Sequence, residues 1–204
     1  MKKRSSHVAL CIVGAAAFAL SGCKEDEMEA RAFADLQSCK AQAGADTTAV
    51  AECVTAFEAA KAIHVESAPR YDSIEVCESE HGQGACGTEA QATGDAPAAT
   101  TQPTGGGSSI FMPLLAGYLI GKAMGGGLGG QAAAQPLYKS SKGGFTNATG
   151  SSTYSSNTGR TTLGAQHFTK PPATIGQAPM TKATVAAKGG FGSSGSSRGV
   201  STGG

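Results

Sequence analysis

Tryptophan is absent from these 204 residues, and all aromatics together make up only 5% of them. So few large side chains leave a folded unit of modest size too little core to stand comfortably alone. Long apolar runs are missing too. Val8 to Leu20 is uncharged and rich in Ala, Val, Ile and Leu, but it falls short of the roughly 20 residues a spanning helix needs, which argues against a transmembrane anchor. Signatures of chemistry are also scarce. No Ser or Cys stands in a pattern that pairs it with a base. Gly117 to Lys122 is one residue short of a phosphate loop, and Ala123 replaces its Ser/Thr. The cysteines lack the close paired spacing of a structural zinc site. Non-enzymatic function is therefore expected, with no cofactor and no metal.

What is present begins with a leader. Lys2, Lys3 and Arg4 precede the apolar run, and small residues close it, the layout of an export signal over residues 1–22. Leu20-Ser21-Gly22-Cys23 looks like a bacterial lipobox. That resemblance implies a diacylglycerol on the Cys23 sulfur, cleavage before it, and a lipid bilayer as partner through acylated Cys23. By similarity to enterobacterial lipoproteins, Asp directly after the acylated Cys favours inner-membrane retention. Lys24 occupies that place, so the outer membrane is expected, with the chain facing the periplasm. Residues 23–30 then read as a short charged tether.

Charge is divided along the chain. All 15 acidic residues lie between Glu25 and Asp95, and none follows. Residues 24 to 95 carry a net −10, five basic against fifteen acidic, and residues 96 to 204 carry +8. Such asymmetry suggests two distinct regions. Export excludes nucleic acid as partner of the basic half and leaves the anionic envelope surface or the protein's own acidic half. The acidic half could itself hold a cationic ligand.

Cys39, Cys53, Cys77 and Cys86 remain after the leader and the lipid site, an even number in an exported chain, where disulfides are the default. Three pairings are open. A weak internal repeat favours one of them. Phe33 and Tyr71 each stand six residues before a Cys (Cys39, Cys77), and Asp35 and Ser73 each stand four before, where a helix N-cap would sit. This favours Cys39–Cys53 and Cys77–Cys86, each contributing on the order of 3 kcal/mol. Thr48 to Ser67 is the clearest helix: Val50, Cys53, Phe57, Ala60 and His64 share a face, and Pro69 ends it. His64 reads as packed on that face. His81 reads as part of an acidic turn with Glu75, Glu78 and Glu80. A small Cys-stapled helical domain over 31–87 is expected.

Residues 88–109 collapse to Ala, Thr, Gly, Pro, Gln and Ser, a flexible linker. Over 110–130, Pro113 can open a helix, and Gly117, Gly121, Gly125 and Gly129 recur every four residues down one face. Repeated small residues let helix backbones approach closely. Three readings stay open: a helix at or partly in the membrane that self-associates through these glycines, a helix packing on an envelope protein, or an unfolded run. Residues 131–204 are Gly, Ser, Thr, Ala and Pro with scattered basic residues and short aromatic islands, and read as a disordered basic tail.

Several blocks carry a family resemblance: Cys23, the four spaced cysteines, Ala68-Pro69-Arg70-Tyr71, Met112-Pro113-Leu114-Leu115-Ala116-Gly117-Tyr118 running into Gly125-Gly126-Gly127, Gln135-Pro136-Leu137 and Gly189-Gly190-Phe191-Gly192. With them the chain resembles the YgiB-type family of uncharacterised proteobacterial lipoproteins, which implies no activity. The fold class expected overall is a mostly α, small disulfide-stapled domain, then a Gly-rich helix and a long disordered tail.

Overall fold

Glu27 to Phe33 alternates charged or bulky residues with Ala, and period two in a short stretch is the mark of a strand with two different faces. A computed structural model, which describes residues 27–94, 110–123 and 133–189, places this stretch as β1 (Glu27–Phe33). Helix α1 (Leu36–Ala43) follows at once. The Asp35 carboxylate accepts the Ser38 N–H at 2.7 Å, and the Ser38 hydroxyl reaches back, a reciprocal cap. Asp46 opens α2 (Thr47–Ser67) by accepting from the N–H groups of Thr48 and Ala49. Cys53, Ala56, Ala60, His64 and Ser67 form the buried stripe of α2, and Ala68 turns extended ahead of Pro69. Ser73 caps α3 (Ile74–His81), and β2 (Cys86–Thr88) and α4 (Glu89–Thr93) close the first half.

The remaining strands are β3 (Phe111–Pro113), β4 (Gly117–Ala123), β5 (Ala133–Lys139), β6 (Phe145–Thr146), β7 (Thr153–Tyr154) and β8 (Gly159–Gly164). A one-turn 3-10 helix (Ala165–Phe168) and α5 (Lys182–Lys188) follow. Six strands make one antiparallel sheet in the order β7-β6-β5-β4-β1-β8, and β2 pairs with β3 separately. On one face Phe33, Tyr118, Ile120 and Ala134 pack against α1 and α2. On the other, Ala32, Leu119 and Leu137 lie under Tyr154, Leu163 and Phe168.

The mostly helical fold class is therefore overturned: the protein is mixed α and β. The expected Gly-rich helix is strand in its described part, and residues 133–189 of the expected disordered tail supply four strands, the 3-10 turn and α5. The cause is a shared core. Leu137 and Tyr138 are fully buried, but only because the first half supplies the surfaces they cover. Neither half would bury enough alone, so composition read segment by segment misses the fold. Likewise Glu27 to Ala30 of the expected tether belong to β1.

Gly117 and Gly121 have a different reason to be small from the helix pairing first read from them. A Cβ on Gly117 would lie 2.7 Å from the Phe33 carbonyl, and one on Gly121 would lie 2.5 Å from the Phe168 ring. These glycines let β4 lie close to its neighbours. Gly121→Ala is expected to cost about 1–3 kcal/mol in urea unfolding, the usual penalty of overpacking. Much of that loss should vanish in a Phe168→Ala background, because the two changes share one contact. Equal losses in both backgrounds would reject this account of Gly121.

Candidate functional site

Alternation places Glu29, Arg31 and Phe33 on the helix-facing side of β1, and the β1–β4 register sets Lys122 beside Glu29 and Ile120 beside Arg31. Between this surface and the α1–α2 hairpin lies a cavity of about 350 Å³. Phe33, Ile120 and the Cys39–Cys53 bridge give it an apolar floor, while Glu29, Arg31, Lys122, Glu52 and Gln42 give it a polar rim. Rim charges are partly committed. Lys122 pairs with Glu52, and the Arg31 Nε sits 3.6 Å from Glu29. Arg31 also donates to the Gln42 side-chain oxygen at 3.4 Å. Asp46, another lining residue, is occupied by its capping role. The two sulfurs in the floor are bonded to each other, so they offer no nucleophile. Apolar floor and ionic rim suit an amphiphilic ligand.

Beside the floor, Tyr118 is fully buried. Its phenol is pushed up to about 12 by burial and, secondarily, by the Asp35 charge, which keeps it neutral.

A second polar cluster runs through the interior. Nε2 of His64 lies 3.0 Å from the Ala92 carbonyl, and its Nδ1 lies 3.0 Å from the Tyr138 hydroxyl. Nδ1 of His81 lies 2.8 Å from the Lys139 carbonyl, and its Nε2 lies 2.8 Å from the Tyr71 hydroxyl. A carbonyl only accepts, so each ring donates to its carbonyl and, when neutral, accepts from its tyrosine. Opposite tautomers result, and both rings contact the Tyr138 ring, at centroid distances of 5.6 and 6.1 Å. Burial lowers both imidazole pKa values, His81 to about 4, so both rings are neutral near pH 7. Each ring ties first-half helix to second-half strand. Both nitrogens of each are engaged in these bonds, so the cluster is a structural joint.

A third junction centres on Arg70, whose side chain is only 4% exposed. It donates to the Val65 carbonyl and to Glu89, both at 2.8–2.9 Å, and to the Thr174 hydroxyl. Further out, Lys170 pairs with Glu66. With Lys122–Glu52, this shows basic residues of the second half meeting acids of the first, one of the two counterparts expected for them.

The sulfur pairs favoured by the repeat are the ones formed: Cys39–Cys53, spanning α1 and α2, and Cys77–Cys86, joining α3 to β2. His64 is packed, as its face implied, but His81 is buried at the end of α3 and not in an open acidic turn. Gly117 and Gly121 lie together in β4. Cys23, Gly125 and Gly129 lie outside the described residues. Among the described residues no group of three or more His, Cys, Asp and Glu could hold a metal, and no helix is long and apolar enough to cross a membrane. The cavity rim went unread in the sequence. Its signal was the alternation in Glu27–Phe33, where the tether reading took charge as the only feature.

Comparison with known proteins extends over most of the chain. Residues 27–201 match the family described as "Protein of unknown function (DUF1190)". A UPF0441 protein of Erwinia tasmaniensis is 35% identical over 194 residues, covering 92% of this chain and 79% of its own. One from Klebsiella pneumoniae is 34% identical over 193 residues, with the same coverage, and one from Pectobacterium carotovorum is 33% identical over 195, covering 93% and 80%. No solved structure matches.

Proposed function

The chain belongs to the DUF1190 family, the YgiB-type proteins its sequence blocks resemble, and from that premise we propose that it is an envelope lipoprotein acting as a non-enzymatic binding body at a membrane surface. Acylated Cys23 supplies location, and the folded body behind it supplies a contact. The observation that carries this reading is the lipobox Cys23 standing four residues before β1, an interior strand of the six-stranded sheet in a body that holds two disulfides. Disulfides belong to exported chains, and four residues of extended chain reach at most about 14 Å. The anchor therefore holds the body close to the bilayer. Lys24 favours the outer membrane. Two or three acyl chains make such anchoring durable, where one binds only reversibly.

Cys23→Ala is expected to move the protein from the membrane to the soluble fraction or leave it with its leader uncut. Intact-mass spectrometry of the wild type should show loss of residues 1–22 and a gain of acyl mass at Cys23. A wild-type mass equal to its amino acids alone, still starting at Met1, would refute the proposal. Binding of a cationic ligand by the acidic half is the weaker reading, since Glu52, Glu66 and Glu89 already face cations of this chain.

A further inference from the structure

We infer that the outer end of the β1–β8 pair is a binding site for the phosphate of an anionic phospholipid, with the neighbouring cavity taking the apolar part of the same molecule. The inference rests on the membrane-surface reading above and deepens it. In the β1–β8 register Arg31 stands directly opposite Arg160, with Glu29 opposite Thr162. Side chains directly opposite across an antiparallel pair lie about 5 Å apart at Cβ, and like charges there repel. Arg160 is exposed and makes no ion pair among the described residues. Arg31 has only Glu29 at 3.6 Å and Gln42 at 3.4 Å, both long contacts. Two arginines directly opposite each other across the pair, with weak internal compensation, can fork around one tetrahedral anion, which offers them more acceptor oxygens than a carboxylate. Thr162 adds a hydroxyl on the same face.

The surroundings select a lipid over a free anion. Arg31 is also a wall of the 350 Å³ cavity, whose floor is Phe33, Ile120 and a disulfide. An anion seated on the arginine pair therefore has apolar space next to it, which inorganic phosphate cannot use and the glycerol and first acyl carbons of a phospholipid can. Arg31 follows Cys23 by eight residues, so the site stays within about 28 Å of an acylated sulfur. Glu29 opposes the anion and sets a limit on its affinity.

The test uses the protein as purified from cells, whatever its state at Cys23, in non-ionic detergent, titrated calorimetrically with short-chain phosphatidylglycerol and separately with inorganic phosphate. Phosphatidylglycerol should bind at least tenfold more tightly than phosphate, and Arg160→Gln and Arg31→Gln should each weaken it tenfold or more. Glu29→Gln should tighten it. The variants also cancel any heat of lipid entering micelles. Absence of heat beyond that of the variants, or unchanged affinity in both arginine variants, overturns the site. Equal affinity for phosphate and lipid overturns the lipid assignment. None of these outcomes depends on the mass of the wild-type chain, so failure here is separable from failure of the anchor.

Discussion

Arg70→Ala is expected to destabilise the protein by about 3 kcal/mol in urea unfolding and to loosen the C-terminal segment before the rest. The guanidinium is 4% exposed and serves acceptors from three places: the Val65 and Ala68 carbonyls where α2 ends, Glu89 in α4, and the Thr174 hydroxyl. Glu89 is half exposed, so its charge can turn to water and the ion pair itself contributes modestly. The larger loss comes from the Val65 carbonyl, left without a donor at about 1–3 kcal/mol, together with the packing of the buried side chain. Thr174 also donates to the Ala68 carbonyl at 2.7 Å, and the Met180 N–H donates to the Arg70 carbonyl at 2.7 Å. The segment from Pro171 to Met180 is thus tied to α2 through this one neighbourhood. In the variant, trypsin should cut first at Lys182, which is exposed. Arg70→Lys should recover little, because one ammonium cannot serve acceptors spread around a planar fork. A loss under about 1 kcal/mol, or a cleavage order like the wild type, would show that Arg70 is not the tie.

Arg70 also shows where sequence reading stops. Within the first half, local rules worked. Asp35 and Ser73 cap helices because their short polar side chains reach the backbone N–H groups just ahead, and that information lies within four residues. The Cys39–Cys53 and Cys77–Cys86 pairs followed from those capped turns. Strand β1 was illegible because it is completed by chain far away: it is bounded by β4 and β8, one drawn from the Gly-rich stretch and the other from the supposed tail. The face of β1 turned away from the helices is Ala30 and Ala32, too small to register as a hydrophobic stripe. Pro136 argues against an interior strand, yet it lies in β5 opposite Tyr118. The cavity rim shares this fate, since Arg31, Lys122 and Glu52 meet only in the folded chain. Blocks such as Ala68-Pro69-Arg70-Tyr71 and Gln135-Pro136-Leu137, which carried the resemblance, prove to be places where the halves join.

Acid should open that joint. In the folded chain burial holds the His81 imidazole at a pKa of about 4, with the bond to the Lys139 carbonyl opposing the shift only partly. In the unfolded chain the same ring titrates near 6.5. Between those values the unfolded chain binds a proton that the folded chain does not, so stability falls as pH falls. The contribution is complete above pH 6.5 and lost by about pH 4, and 2.5 units correspond to about 3 kcal/mol. His64 is lowered for the same reason and adds with the same sign. Chemically, a second proton on His81 would land on Nε2, which accepts from the Tyr71 hydroxyl, so that hydroxyl would have to turn its own proton away for the contact to survive. Tyr71 cannot help by ionising, since burial and Glu80 push its phenol above the ordinary range. Urea unfolding at pH 7 and pH 4.5 should show the wild type losing more stability than His81→Gln by two to three kcal/mol, about the size of this linkage. The substitution itself lowers stability at pH 7, so the readout is the pH slope and not the starting value. Parallel slopes for the two proteins would mean that His81 is already protonated in the fold, and the histidine–tyrosine joint would have to be redrawn with the ring as a double donor.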